Sequence, residues 1–139
     1  MNDTPTQPSK NYRVSIKALI TDEEGRLLMV QERGDHWSIP GGGLEHGEHI
    51  LDGLKREIHE ELGIEPMTIA ETPLFLWTKT AAKGYWSLTI CYEVTVDSFN
   101  FVLGDDIRSA QFFSSDELLK LEIDPQESPI AQRWYQSKG

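Results

Sequence analysis

The sequence predicts an α+β or α/β fold in which a mixed β-sheet is sandwiched between helices. Three observations point there. Short runs rich in β-branched and apolar residues occur on both sides of a helical segment, so strands from distant parts of the chain must meet. The longest helical segment gathers its leucines on one stripe and can bury that edge. A hydrophobic fraction of 38% and an aromatic fraction of 9% over 139 residues suit one globular domain built without disulfides or a structural metal.

The elements follow in order. Residues 1–10 are polar, lack the apolar stretch of a signal peptide, and read as a disordered tail before one domain over residues 11–139. Residues 12–21 and 26–31 read as strands, with Asp22-Glu23-Glu24-Gly25 as the hairpin turn between them. Pro40-Gly41-Gly42-Gly43 reads as a breaker cluster ahead of a helix over about residues 48–62, closed by Gly63. Residues 67–78 and 86–96 read as strands joined by a turn at 81–84, and residues 109–113 as a further short strand. Ser114-Ser115-Asp116-Glu117 has the pattern of a capping box and opens a helix to about residue 121. Ser128-Pro129 supplies a cap and a first-turn proline for a last helix ending near residue 136.

Charge narrows the partners. A formal net charge of -10 repels a nucleic-acid backbone and an anionic membrane surface alike. A small anionic substrate remains open, provided that a metal supplies positive charge. No segment approaches the roughly 18 uninterrupted apolar residues of a membrane span. The single cysteine, Cys91, has no partner within the chain, which fits a reducing compartment. The cytoplasm is the expected location.

The chemistry concentrates between Gly42 and Ile64. At about 100° per residue, Leu51, Leu54, Ile58 and Leu62 share one helical stripe. Glu57, Glu60 and Glu61 occupy the adjoining sector, at the rim of the face to be buried. Like charges at i, i+3 and i+4 destabilise a helix by a few tenths of a kcal/mol per pair, roughly. A bound divalent cation reverses that sign. Oxygen-only ligands suit Mg2+ or Mn2+ rather than zinc. Taken alone, three glutamates on an acidic protein make an ordinary solvated face. The run Gly41-Gly42-Gly43 tips the balance, because it allows backbone to approach a metal or phosphate closely.

The spacing from Gly42 resembles the Nudix box, Gly-x5-Glu-x7-Arg-Glu-U-x-Glu-Glu-x-Gly-U with U aliphatic, and matches it at every defined position. Chance would produce the fixed residues on the order of once in a billion windows at typical usage. Looser likeness in the flanks extends it over most of residues 12–121. The resemblance implies a MutT-like hydrolase of the Nudix fold that uses Mg2+ or Mn2+ to cleave a phosphoanhydride bond. The substrate would be a small molecule, a nucleoside diphosphate linked to a further group.

By that likeness Glu57, Glu60 and Glu61 are metal ligands, with the backbone carbonyl of Gly42 as another. Arg56 and Glu48 form a supporting ion pair, compatible with an i, i+4 pair between Arg56 and Glu60. Glu57 is favoured as the base that takes the proton of the attacking water, and Asp106 as a fourth acidic ligand. Asp105-Asp106 otherwise has turn composition, and Glu93 is the rival later acid. Arg33, His36 and Glu45 are candidate substrate contacts. Trp37, Phe75, Trp77, Tyr85, Trp86 and Phe101 could stack on a base, although aromatics more often fill cores. Gly53 departs from the usual alanine and could give clearance beside Glu57.

A nucleoside triphosphate is mildly favoured over ADP-ribose or another nucleotide sugar. The marker proline of ADP-ribose hydrolases is absent from Thr78-Lys79-Thr80-Ala81. A nucleotide-sensing domain without turnover is the alternative from another class, but such domains typically lose box carboxylates that are complete here. A monomer or a homodimer is expected.

Overall fold

A computed structural model of the chain describes residues 11–32, 34–80 and 84–138. The tail expected at residues 1–10, Arg33 and all but Gly84 of the turn expected at 81–84 lie outside the described residues.

The strands are β1 (Tyr12–Leu19), β2 (Leu27–Gln31), β3 (Trp37–Ser38), β4 (Gly41–Gly43), β5 (Thr68–Ile69), β6 (Phe75–Thr80), β7 (Trp86–Thr95) and β8 (Ser109–Phe113). The helices are α1 (Ile50–Leu62), α2 (Ser115–Lys120) and α3 (Pro129–Lys138), with a single 3-10 turn at Pro125–Glu127. The larger sheet runs β4-β1-β7-β5, with β6 beside β5 on the same strand, β7. Within it β1 and β7 are parallel and the other pairs antiparallel, so the sheet is mixed. A smaller antiparallel sheet runs β3-β2-β8.

Alternation along β1 and β2 builds two cores, because successive side chains point to opposite faces. Ile16, Ala18, Ile20, Leu28 and Val30 meet Leu54, Ile58 and Leu62 of α1 on one side. Leu19, Leu27 and Met29 meet Leu118 of α2 and Ile130 and Trp134 of α3 on the other. The sheets thus lie between helices, as expected.

Three local expectations change. The strand expected over residues 67–78 is two strands. Ala70 N–H donates to Glu93 O and Leu74 N–H to Cys91 O, so residues 71–73 bow out between positions two residues apart on β7. Pro73 within the bow cannot donate to a ladder. On α1 the buried stripe starts at Leu54 and not at Leu51, which is 38% exposed. The first turn instead turns Ile50 and Gly53 inward. The glycine run read as a breaker forms β4, a strand paired with β1.

The expected ends hold. Gly63 closes α1 in the left-handed conformation at φ 68°, its N–H donating to His59 O. Ser114 and Glu117 form the reciprocal capping box that starts α2. Among the described residues no helix is long and apolar enough to cross a membrane.

Candidate active site

The glycines of β4 are needed because two other parts of the chain press against them. Gly41 pairs with Lys17 across β1 at φ +133°, where a Cβ would stand 2.1 Å from Ile16 O. A Cβ on Gly42 would stand 2.2 Å from Glu57 Oε1. The carboxylate of Glu57 therefore lies directly over the Gly42 backbone, in space that only glycine leaves open.

The residues leading into β4 are fully tied. Ile39 N–H donates to Glu127 Oε1 at 2.6 Å, and Ile39 O accepts from Lys17 Nζ at 3.1 Å. Pro40 O accepts from Ala18 N–H at 2.8 Å, and Gly41 O from Lys17 Nζ at 3.3 Å. Gly41 N–H donates to Glu61 Oε1 at 2.9 Å. Lys17 and Glu127 form an ion pair of 3.0 Å with both side chains under a tenth exposed. Burial alone would lower the Lys17 ammonium, but the charges of Glu127 and then Glu61 hold it above its ordinary value.

On α1, Arg56 gathers the acids. Its guanidinium bonds Glu48 at 2.7 and 3.0 Å, Glu57 at 2.8 Å and Glu60 at 3.2 Å, and reaches Gly43 O at 3.2 Å. The Arg56 hydrogen bonds pull Glu48 down to about 2. Both expected ion pairs of Arg56 are therefore present, one with Glu48 and the i, i+4 pair with Glu60. Burial pushes the Glu57 carboxyl up, opposed by Arg56. Burial pushes Glu61 up to about 8, against the pull of Lys17 and of the Gly41 N–H.

Gly53 gives clearance to different neighbours from the one expected. A Cβ there would meet Glu48 Oε1 and Ile16 Cδ1 at 2.8 Å, so its bareness serves the Glu48 clamp and the core.

A pocket of about 810 Å³ is lined by Glu32, Gly41, Gly42, Glu57, Glu60 and Glu61, and by Gly104 to Ile107, whose first residue donates its N–H to Glu61 O at the end of α1. Asp105 and Asp106 thus line the same pocket as the box acids. Glu93 does not; it is exposed on β7 and borders a separate depression with Glu71. Glu45 and Glu48 border another pocket with Tyr12 and Arg13, so Glu45 stands apart from the acids of α1. His36 is exposed and does not line the main pocket. Arg33 lies outside the described residues.

The candidate stacking aromatics do not line the main pocket either. Trp77 is buried in the α2–α3 core with Phe75 and Trp37 packed around it, and Phe101 packs on the α1 core. Tyr85 lies under the Arg13 guanidinium, and Trp86 is 37% exposed beside Tyr12.

Sequence reading missed Glu32, Lys17 and Glu127. Glu32 directly follows β2 and had no motif to mark it. A lone lysine amid the apolar residues of Ser15-Ile16-Lys17-Ala18-Leu19 was a readable signal for a buried partner.

A hard divalent cation fits this donor set. The lining acids supply oxygen only, and Gly41 and Gly42 bring backbone within reach. Glu61 shows the charge deficit most clearly: it is half-buried, pushed up to about 8, and further raised by Glu57 and Glu32. Among the described residues no three such side chains already meet at one point. Arg56 draws Glu57 and the 56% exposed Glu60 toward itself, while Gly41 holds Glu61.

The chain is 38% identical over 72 residues to an RNA pyrophosphohydrolase of Ruthia magnifica subsp. Calyptogena magnifica, covering 49% of this chain and 40% of that protein. The chain therefore matches less than half the length of that relative. It is 25% identical over 124 residues to an ADP-ribose pyrophosphatase of Methanocaldococcus jannaschii, covering 83% of this chain and 73% of the relative. Its fold resembles the crystal structure of a MutT protein from Methanosarcina mazei Go1, with TM-score 0.79 and 19% identity over 97% of this chain and 99% of that one. The pattern of the NUDIX domain matches residues 11–134, and the chain belongs to the NUDIX domain family.

Proposed function

We propose that this chain is a divalent-metal-dependent hydrolase that cleaves a phosphoanhydride bond in a nucleoside diphosphate linked to another group. The observation that carries the reading is that Glu57, Glu60, Glu61, Gly41 and Gly42 line one pocket together with Asp105 and Asp106. Both curated relatives are named for hydrolysing pyrophosphate linkages, in RNA and in ADP-ribose.

Mg2+ or Mn2+ would be held by Glu57, Glu60, Glu61, the Gly42 carbonyl and Asp106. When bound, the metal offsets the phosphate charge and lowers the cost of forming the nucleophile from water. The chain's own residues supply the rest. Glu57 accepts the water's proton, and its burial raises it toward the range where a carboxylate is an effective base. Arg56 keeps Glu57 from swinging away and, through Glu48 and Gly43 O, ties α1 to β4. Gly41 N–H orients Glu61. The products are a nucleoside monophosphate and a phosphorylated group, or pyrophosphate from a triphosphate.

A nucleoside triphosphate is the favoured substrate, with ADP-ribose or another nucleotide sugar as the second reading, supported by the Methanocaldococcus relative. A screen of nucleoside diphosphate derivatives with Mg2+, with both products identified, separates the two. Turnover should stop with EDTA and return with Mg2+ or Mn2+. Binding of nucleotide without turnover of any derivative would favour a sensing domain and overturn the enzyme reading.

A further inference from the structure

Lys17 and Glu127 are buried charges that the proposed chemistry does not use, 7% and 6% exposed. They come from far apart in the chain, one from β1 and one from the 3-10 turn before α3. A buried ion pair of this kind is often no more stabilising than apolar side chains of the same size, because both ions lose water. Its reason here is geometric. The two side chains take up both polar backbone atoms of Ile39 and the carbonyl of Gly41. The next donor along that backbone, Gly41 N–H, holds Glu61, and the next residue is Gly42.

We propose that the Lys17–Glu127 pair is a positioning device for the metal site, fixing the backbone at residues 39–41 so that Gly41 aims Glu61 and Gly42 meets the cation. This rests on the metal-dependent reading above. Neither residue touches substrate. Both act through the backbone of residues 39–41.

The test is Mn2+ binding followed by electron paramagnetic resonance, with Mn2+ alone as the probe, in the wild type and in the Lys17→Met/Glu127→Gln double variant. The double variant removes both buried charges at nearly constant volume, and the new glutamine oxygen still accepts from Ile39. Its Tm should stay within a few degrees of wild type while its Kd for Mn2+ rises about tenfold, the scale seen when groups supporting metal ligands are lost. A Kd within twofold of wild type overturns the positioning role and leaves the metal reading intact. Absence of Mn2+ binding in the wild type overturns both.

A second measurement needs no variant. Positioning is reciprocal, so a bound cation must also tighten the clasp. Mg2+ should slow hydrogen exchange at the Ile39 amide, which donates to Glu127, as well as at Gly41. An Ile39 rate indifferent to saturating Mg2+ overturns the proposal.

Discussion

Two ion-pair systems grip the glycine strand β4 from opposite sides, and they differ in kind. On the outer side Arg56, 26% exposed, is shared among Glu48, Glu57 and Glu60. On the inner side Lys17 and Glu127 pair one to one, out of water. The outer system is redundant, since a lost carboxylate leaves Arg56 other partners and solvent. The inner one is not, because loss of either member strands a charge in the core. The contrast separates two tasks: the outer pairs shape the acids, and the inner pair fixes the backbone beneath them.

The contrast can be broken or sharpened in order of expected effect. Glu57→Gln removes the proposed base without disturbing charge balance in the core. It should lower kcat about a thousandfold, with the circular dichroism spectrum unchanged. A mutant keeping a tenth of the wild-type rate would remove Glu57 from the chemistry.

Stability should divide the two grips next. Lys17→Ala strands Glu127 and should cost about 3–5 kcal/mol in urea unfolding. Glu48→Gln, at the outer grip, should cost distinctly less, because Arg56 keeps Glu57, Glu60 and solvent as partners. Equal costs would erase the distinction drawn between them.

Gly42→Ala attacks the contact that the two grips jointly protect. The new Cβ would displace the Glu57 carboxylate, which stands 2.2 Å from that point. A displacement of about 1 Å at a reacting centre costs on the order of a hundredfold in kcat/KM. Steady-state kinetics at saturating Mg2+ measure it, and a loss under threefold would deny the close approach of Glu57 to the β4 backbone.

The smallest effect is the pH dependence of the metal-free chain. Glu61 has its carboxyl raised from an ordinary 4.5 to about 8 in the folded state. Its contribution to stability is therefore complete below about 4.5 and is lost as pH rises through about 8. In EDTA, Tm should fall by roughly 5 °C between pH 5.5 and 8.5. Glu61→Gln should flatten that slope, and an identical slope in the variant would place the proton elsewhere.

What the sequence could show follows from the range of each interaction. The Arg56 grip lies within the box: its pair with Glu60 was legible from i, i+4 spacing and its clamp on Glu48 through the family resemblance, while its bond to Glu57 was not foreseen. The caps at Gly63 and Ser114 are equally local. The inner grip joins residues whose neighbours in sequence carry no sign of each other, and only the sheet register brings Lys17 opposite Gly41. Local composition misled at Gly41–Gly43, where three glycines read as a breaker. Their lack of side chains instead admits β1 on one side and Glu57 on the other. Glu45 and Glu93 were reasonable by position along the chain, but the fold turns them toward other depressions.

The segment from Glu122 to Glu127 runs beside Trp37 and Ile39, through Trp37 N–H to Glu122 O, Asp124 N–H to Trp37 O, and Ile39 N–H to Glu127. On a ribosome the acidic helix and its glycines emerge long before that segment does. A nascent chain halted before residue 122 would hold every signature residue of the box while the approach to its loop still lacked a lateral support. Competence would then arrive late in synthesis, in one step, when the distal segment docks.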